Sequence, residues 1–116
     1  MVTLEERFEH LEKTIRGYNI SADLKLVEAA YSYAREHHGA QLRRDGTPYI
    51  THPIQVAQIV AEMRLDSESI LAALLHDCIE DTDSTYEDIA KRFGVTVADI
   101  VDGVTKLTRV KYSTME

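Results

Sequence analysis

The most apolar helical stretch of the chain runs directly into His76-Asp77, and Glu80-Asp81 follow one helical turn later. Burying such groups without partners costs several kcal/mol even after relaxation. A bound metal ion would offset that cost. His76 and Asp77 project about 100° apart on a helix and can reach one ion. Glu80 and Asp81 project beside them and can orient a water.

A second histidine, His52, directly precedes Pro53. Proline is favoured in the first turn of a helix, where its missing N–H is not needed, so His52 is expected at or near a helix start. One histidine from this helix and the His76-Asp77 pair from another form a plausible nitrogen and oxygen site. Such mixed ligands suit manganese, iron or zinc better than calcium. Three protein ligands are few, and no further one is obvious downstream.

Arg43-Arg44 lie in a polar loop shortly before His52. A guanidinium binds phosphate oxygens through two hydrogen bonds, so paired arginines on a loop can hold a phosphorylated ligand. The alternative is that both side chains are simply solvated, which is the commoner case for an arginine pair on a loop.

Each of these features has an ordinary explanation when taken singly. A His-Asp dipeptide is usually accidental, and acidic groups at a helix end are usually solvated, although the helix dipole disfavours them there. His37-His38 are expected at an exposed helix end without a role, and Cys78 is expected to be a small packing residue rather than a nucleophile. The residues alone therefore indicate only a possible metallohydrolase.

Helical apolar spacing runs along nearly the whole chain, without sustained strand alternation, and predicts an all-α fold of about six helices. The predicted helices begin in order at Thr3, at Ser21 or Asp23, at Pro53, at Asp66 or Ser67, at Ser84 and at Thr96. A glycine ends three of them, at Gly17, Gly39 and Gly94, and the fourth runs to near Glu80-Asp81.

The apolar residues of these helices also predict which faces are buried. The fourth helix is apolar around much of its girth and is expected at the centre of the domain. The expected stripe of the third helix is Val56, Ile59, Val60 and Met63, and that of the last is Val97, Ile100, Val101, Val104 and Leu107.

Length, charge and cysteine content exclude several classes of protein. The 116 residues suffice for one small domain with one core. The net charge of -7 argues against a general nucleic-acid binder, which needs a basic face. No apolar run approaches the roughly 20 residues of a membrane span, and the N-terminus lacks the plan of a signal peptide. A single cysteine permits no intrachain disulfide, which favours a cytoplasmic setting.

Joined to their flanking sequence, these residues resemble a known family. His52, His76-Asp77 and Glu80-Asp81 are similar to the H…HDxxED arrangement in the hydrolase domain of RelA/SpoT-type (p)ppGpp synthetase/hydrolases. The resemblance covers about residues 20–112 and extends to the segments 46–53 (GTPYITHP), 72–77 (AALLHD) and 101–107 (VDGVTKL).

The resemblance implies an all-α HD-domain helical bundle that hydrolyses the 3′-pyrophosphate of (p)ppGpp to GDP or GTP plus pyrophosphate, in stringent-response control. It implies one Mn²⁺ ion held by three ligands, catalytic carboxylates that position or activate the attacking water, and a basic pair that holds the guanine nucleotide. By position in this chain, the ligands are His52, His76 and Asp77, the carboxylates are Glu80 and Asp81, and the basic pair is Arg43 and Arg44.

One departure from the family pattern concerns the C-terminal side of the chain. The family completes its metal site with a further aspartate on a later helix, which is expected beyond Glu116. We therefore expect residues 1–116 to be the N-terminal part of the hydrolase domain, incomplete at the C-terminus, without the synthetase and regulatory domains. Alone, this segment is expected to hold the ion weakly and to show little activity.

Two other functions are compatible with the same residues. The first is a regulatory HD module that binds the nucleotide without turnover, and the second is an HD phosphohydrolase that acts on another nucleotide. The full-length protein can also be a GTP pyrophosphokinase. No membrane partner and no direct nucleic-acid contact are expected for this segment, and a ribosome contact is expected only through absent domains.

Overall fold

Four helix starts in the described part of this chain are capped by side chains that accept hydrogen bonds from the first free backbone N–H groups. The computed structural model describes residues 3–19 and 22–115, with side chains up to residue 105. Thr3 and Glu6 form the predicted capping box, and Asp23 and Asp66 each accept from the backbone N–H three residues later. The predicted alternative start at Ser21 lies outside the described residues.

Seven helices occupy the described part of the chain, which confirms the all-α prediction. Six have eight or more residues and match the number expected, and the seventh is a single turn. They are α1 (Leu4–Tyr18), α2 (Leu24–His38), α3 (Thr51–Glu62), α4 (Ser67–Leu75), α5 (Cys78–Asp81), α6 (Tyr86–Phe93) and α7 (Val95–Met115).

Helix α4 lies at the centre, as predicted, and packs against α2, α3 and α7. Its six residues Ile70 to Leu75 are all buried, and Leu74 and Leu75 are fully so. Fully burying one such side chain stabilises the fold by about 1.5–3 kcal/mol. The residue that follows this buried segment is His76, so the end of α4 places His76 next to the core.

The prediction that α4 continues to Glu80-Asp81 is wrong, because the helix ends at Leu75. The ring Nδ1 of His76 lies 2.6 Å from the carbonyl oxygen of Ala73. In a continuing helix, that carbonyl would accept the N–H of Asp77. The His76 ring therefore competes with the backbone for this acceptor at the point where α4 ends, and the short α5 begins after His76 and Asp77.

The apolar stripe predicted for α3 is only partly correct. Val56 and Val60 are partly buried and pack against the core, but Ile59 and Met63 are 57% and 64% exposed. The fully buried residues of α3 are Pro53, Ile54, Ala57 and Ala61. The two alanines are fully buried and allow close approach to α1 and α4, against which α3 packs. Pro53 is the third residue of α3 rather than the first, which is still within the turn whose N–H groups lack helical acceptors.

Two further predictions about the C-terminal half need correction. Ser84 does not cap α6, since Thr85 accepts from the N–H of Asp88, while Ser84 is buried against the Tyr33 hydroxyl at 2.6 Å. In α7, which begins at Val95 and not at Thr96, Val97 and Val101 are buried as expected.

Two other α7 residues that were predicted on the buried face, Ile100 and Val104, are exposed. Ile100 and Val104 are 37% and 40% exposed, because α7 turns the face of Val97, Ala98 and Val101 toward the bundle. The side chain of Leu107 lies outside the described residues. Among the residues that the structure describes, none of the helices combines the length and the apolar character needed to cross a membrane.

Replacing the α4 cap by Asp66→Ala is expected to lower the free energy of unfolding by about 1 kcal/mol, measured by urea denaturation. The Asp66 side chain accepts from the Ser69 N–H at 2.9 Å, and this hydrogen bond lowers the pKa of Asp66. The stabilisation is therefore present above the unfolded-state pKa and is lost as the pH falls through the folded-state value. Asp66→Asn is the matched control, because asparagine caps as well, and equal stability of the alanine variant would contradict the assignment.

Candidate metal centre

Three predicted ligands, His52, His76 and Asp77, lie together where the start of α3 meets the end of α4. Each offers one ligand atom, and these atoms all lie within 4.8 Å of one another. Asp77 Oδ2 is 3.1 Å from His76 Nε2 and 3.6 Å from His52 Nε2. The two imidazole rings meet edge to face, with centroids 5.2 Å apart. Two nitrogens and one carboxylate oxygen therefore face a common space.

The start of α3 places His52, and a hydrogen bond of the ring orients His76. His52 is the second residue of α3, and its backbone N–H donates to the carbonyl of Tyr49 at 3.0 Å. His76 faces the Ala73 carbonyl with Nδ1, so its Nε2 is left to point toward Asp77. An outer-shell carbonyl on the second ring nitrogen is the usual arrangement for a histidine that binds a metal.

The pKa shifts of His52 and Asp77 favour a bound cation, whereas that of His76 opposes one, because an imidazole must be neutral to bind a metal. Burial and the neighbouring His76 lower the pKa of His52, which keeps its imidazole neutral and able to bind a metal. Burial alone would lower the pKa of His76 as well, but the hydrogen bonds to Asp77 and to the Ala73 carbonyl raise it overall. Burial opposes ionisation of Asp77, yet its contacts with His76 lower the pKa of Asp77 overall. The carboxylate is therefore ionised at neutral pH.

The donor set fits a divalent ion on its chemistry. Mixed imidazole and carboxylate ligation at a partly exposed site suits first-row transition ions, and the three side chains are 33%, 16% and 18% exposed in the order His52, His76, Asp77. Three protein ligands also leave coordination positions for water or a substrate oxygen, as catalytic sites require.

Tyr49 joins the cluster to Asp81. Its hydroxyl lies 3.1 Å from Asp77 Oδ2 and 2.9 Å from Asp81 Oδ2. Burial, followed by the adjacent carboxylates, raises the pKa of Tyr49, so the hydroxyl keeps its proton and acts as a donor. Tyr49 was not predicted as a site residue, although its position three residues before His52 on the turn into α3 is a signal that could have identified it.

The interpretation of His38 as an exposed residue is wrong. His38 is only 2% exposed, and its ring stacks on that of Tyr49 with centroids 4.7 Å apart. Its Nδ1 faces Gln41 Oε1 at 3.1 Å, and its Nε2 lies 3.9 Å from the sulfur of Cys78. Cys78 is fully buried, as expected for a packing residue, and burial raises the pKa of its thiol to about 12.

The other predicted site residues differ in their contacts. Asp81 is tied to the cluster through Tyr49, whereas Glu80 is exposed and has no recorded hydrogen bond or ion pair among the described residues. Arg43 and Arg44 are exposed on the loop between α2 and α3. The positive charge of Arg43 is one of the smaller causes that lower the pKa of His52. The structure therefore joins four of the seven residues, His52, His76 and Asp77 in the ligand cluster and Asp81 through Tyr49.

The loop that carries the arginines is held in a defined turn. The backbone N–H of Arg43 donates to the Thr47 carbonyl at 2.8 Å, and Leu42 and Pro48 form an isolated antiparallel bridge. Asp45 accepts from both the backbone and the hydroxyl of Thr47, at 3.0 and 2.7 Å. These contacts close the tip of the loop and leave both guanidinium groups in solvent.

Known proteins resemble this chain closely in sequence. Residues 30–116 match the HD domain family. A guanosine-3′,5′-bis(diphosphate) 3′-pyrophosphohydrolase of Aquifex aeolicus is 50% identical over 111 residues, which make up 96% of this chain and 15% of that protein. The bifunctional (p)ppGpp synthase/hydrolase SpoT of Escherichia coli K12 is 50% identical over 105 residues, 90% of this chain and 15% of that protein. The chain thus spans about a seventh of the length of these curated relatives.

A relative with another name and a solved structure extend the comparison. A GTP pyrophosphokinase of Myxococcus xanthus is 46% identical over 100 residues, 86% of this chain and 13% of that protein. The solved structure is that of a metazoan ortholog of SpoT that hydrolyzes ppGpp and plays a role in starvation responses. It matches with a TM-score of 0.64 and 37% identity, over 68% of this chain and 47% of that one.

The fold, the ligand cluster and the comparisons agree with one another. The match to the HD domain covers most of the chain, and the cluster of two histidines and an aspartate fits the divalent metal binding that this family implies. The chain belongs to the HD-domain family, and within that family it is similar to the (p)ppGpp hydrolases of the RelA/SpoT type.

Proposed function

We propose that this chain supplies the metal-binding and water-positioning groups of a hydrolase that removes the 3′-pyrophosphate from (p)ppGpp. The observation that carries the proposal is the convergence of His52, His76 and Asp77, whose ligand atoms lie within 4.8 Å of one another. Water adds to the phosphorus, the bond from phosphorus to the 3′ oxygen breaks, and the products are GDP or GTP and pyrophosphate. The names of the similar proteins support this substrate, which connects the activity to the stringent response.

We further propose that the ion is Mn²⁺, held by His52, His76 and Asp77. The mixed nitrogen and oxygen donors support manganese, and the same donors also accept iron or zinc. A divalent ion bound there would supply Lewis-acid activation of a phosphoryl oxygen and of a water. We expect Asp77 to contribute through Oδ2, the oxygen that faces both imidazoles.

Asp81 and Glu80 are proposed to act on the attacking water. The Asp81 carboxylate is connected to the ligand Asp77 through the Tyr49 hydroxyl, which hydrogen-bonds to both side chains. A carboxylate beside the metal ligands can take a proton from the water or fix its direction of attack. Glu80 is exposed beside it on the same helical turn and is free to turn toward a substrate.

We assign phosphate binding to Arg43 and Arg44. The exchange of both residues for alanine is expected to raise the KM for ppGpp on the order of 10-fold or more, because each guanidinium forms charge-assisted hydrogen bonds with phosphate oxygens. Steady-state kinetics measure the change, and Arg64→Ala, an exposed arginine after α3, is the matched control. An unchanged KM would remove the two residues from the substrate site.

The function is tested by incubating the protein that carries these residues with ppGpp and Mn²⁺ and by quantifying GDP and pyrophosphate. Equal amounts of both products, and loss of the reaction when a chelator removes the ion, are expected. Tight ppGpp binding without product would instead show a regulatory module. Faster turnover of another nucleotide in a substrate panel would show a different HD phosphohydrolase. Either result would overturn the proposed reaction.

A cytoplasmic setting is also proposed. The single cysteine of the chain can form no intrachain disulfide, and a guanine nucleotide substrate would be available in that compartment. Fractionation of cells that express the tagged protein would check this.

A further inference from the structure

We propose that Tyr49 is a positioning residue of the hydrolase site, whose hydroxyl holds the carboxylates of Asp77 and Asp81 in a fixed relation. This inference rests on the function proposed above, because it concerns the metal-binding and water-positioning groups of the same site. Tyr49 lies between the metal-binding residues and the water-positioning residues, and it was assigned to neither group.

The geometry of the hydroxyl defines this task. Its oxygen is 2.9 Å from Asp81 Oδ2 and 3.1 Å from Asp77 Oδ2. A phenol has a single hydrogen, so it cannot donate fully to both carboxylates at once. The two carboxylates therefore share this hydrogen, with Asp81 at the shorter distance and with Asp77 Oδ2 also facing His76 and His52.

The ring of Tyr49 is itself held in place by its neighbours. One face stacks on the buried His38, with centroids 4.7 Å apart and planes tilted by 28°. The edge meets His52 at a centroid distance of 6.2 Å. The backbone N–H of Tyr49 donates to the carbonyl of Gln41 at 2.9 Å. The hydroxyl therefore projects from a support fixed by α2 and by the loop.

Gln41 connects this support to Asp81 from the other side. Its Nε2 donates to the backbone carbonyl of Asp81 at 2.9 Å, and its Oε1 faces His38 Nδ1 at 3.1 Å. The main chain of Asp81 is thus held by Gln41 and its side chain by Tyr49.

Asp81 needs such support because its own helix provides little. α5 has four residues, and Asp81 is its last and is exposed. An exposed carboxylate at the end of one helical turn samples several rotamers unless a partner selects one. The Tyr49 hydroxyl is the recorded hydrogen-bond donor to that carboxylate among the described residues.

The first test measures Mn²⁺ affinity by titration calorimetry for the wild type and for Tyr49→Phe. Loss of an outer-shell partner of a ligand commonly weakens metal binding by about 10- to 100-fold, and a change in that range is expected. Tyr86→Phe is the matched control, since the Tyr86 hydroxyl donates to Asp99 at 2.6 Å away from the cluster, and its Kd is expected to stay within about twofold of the wild type. An unchanged Kd in Tyr49→Phe would overturn the link to Asp77.

The second test measures kcat for ppGpp at saturating Mn²⁺ in a double-mutant cycle. Tyr49→Phe is expected to lower kcat about 10-fold in the wild-type background, with little change in KM. In an Asp81→Asn background, the same exchange is expected to cause no further loss, because residues that act through one another are not additive. Equal losses in both backgrounds would show a general structural effect and would overturn the positioning role.

The two tests separate failure of this inference from failure of the proposed function. If the whole protein that carries these residues releases no pyrophosphate, the proposed function is removed, and the calorimetric comparison would still decide whether Tyr49 supports Asp77. A wild type that hydrolyses ppGpp beside a Tyr49→Phe variant with unchanged Kd and kcat would keep the function and remove the role of Tyr49.

Discussion

Asp77→Ala is expected to weaken Mn²⁺ binding by more than about 100-fold and to stop pyrophosphate release. Asp77 is the only carboxylate of the ligand cluster described here, with Oδ2 at 3.1 Å from His76 and 3.6 Å from His52. Loss of an outer-shell partner already costs about 10- to 100-fold in affinity, so loss of a ligand must cost more. Titration calorimetry measures the affinity, and quantification of the released pyrophosphate measures the reaction.

A second readout of the same variant requires no metal. Contact with Asp77 raises the pKa of His76, so removal of that carboxylate is expected to lower the pKa of His76 in the metal-free protein. The titration of the His76 ring can be followed by NMR. Asp83→Ala is the matched control, because Asp83 pairs with His37 at 2.9 Å and is 91% exposed. Retained Mn²⁺ affinity in Asp77→Ala would contradict the ligand assignment.

Features of the fold that depend on neighbours in sequence were predictable. The capping box of Thr3 and Glu6 and the cap of α4 at Asp66 follow from residue types three positions apart. The central position of α4 followed from its apolar residues on all sides. The buried face of α3 was predictable only in part. Ile54, Ala57 and Ala61 form a second apolar stripe beside the predicted one, and this second stripe is the buried one. Choosing between the two stripes requires knowledge of the helices that pack against them.

In the candidate site, too, residue types were predictable from the sequence, whereas contacts that depend on the folded chain were not. His52, His76 and Asp77 were identified from residue type and flanking sequence. The end of α4 at Leu75 was not, because apolar spacing carries no signal for the contact between the His76 ring and the Ala73 carbonyl that accompanies it. His38 was placed in solvent, since two histidines at a helix end look exposed. Its burial depends on Tyr49, which reaches it only after the loop folds back.

The exchange of both catalytic carboxylates, Glu80→Gln with Asp81→Asn, is expected to lower kcat by about 10²–10⁴-fold, the usual contribution of a general base. The Mn²⁺ affinity is expected to change little, because neither residue belongs to the cluster of ligand atoms. The combination of lost turnover and retained ion would distinguish these residues from Asp77. Glu87→Gln, an exposed glutamate at the start of α6, is the matched control.

The single variants are expected to differ, and the difference follows from how each carboxylate is held. Asp81 is fixed by Tyr49 at 2.9 Å and by Gln41 through its backbone, whereas Glu80 is exposed and lacks a recorded hydrogen bond in the described part of the chain. A preorganised carboxylate contributes more to a proton transfer than one that must first be oriented. Asp81→Asn should therefore lower kcat more than Glu80→Gln. The reverse order would show that substrate binding orients Glu80 and that Asp81 serves mainly to hold the turn. An unchanged kcat in the double variant would remove both residues from the mechanism.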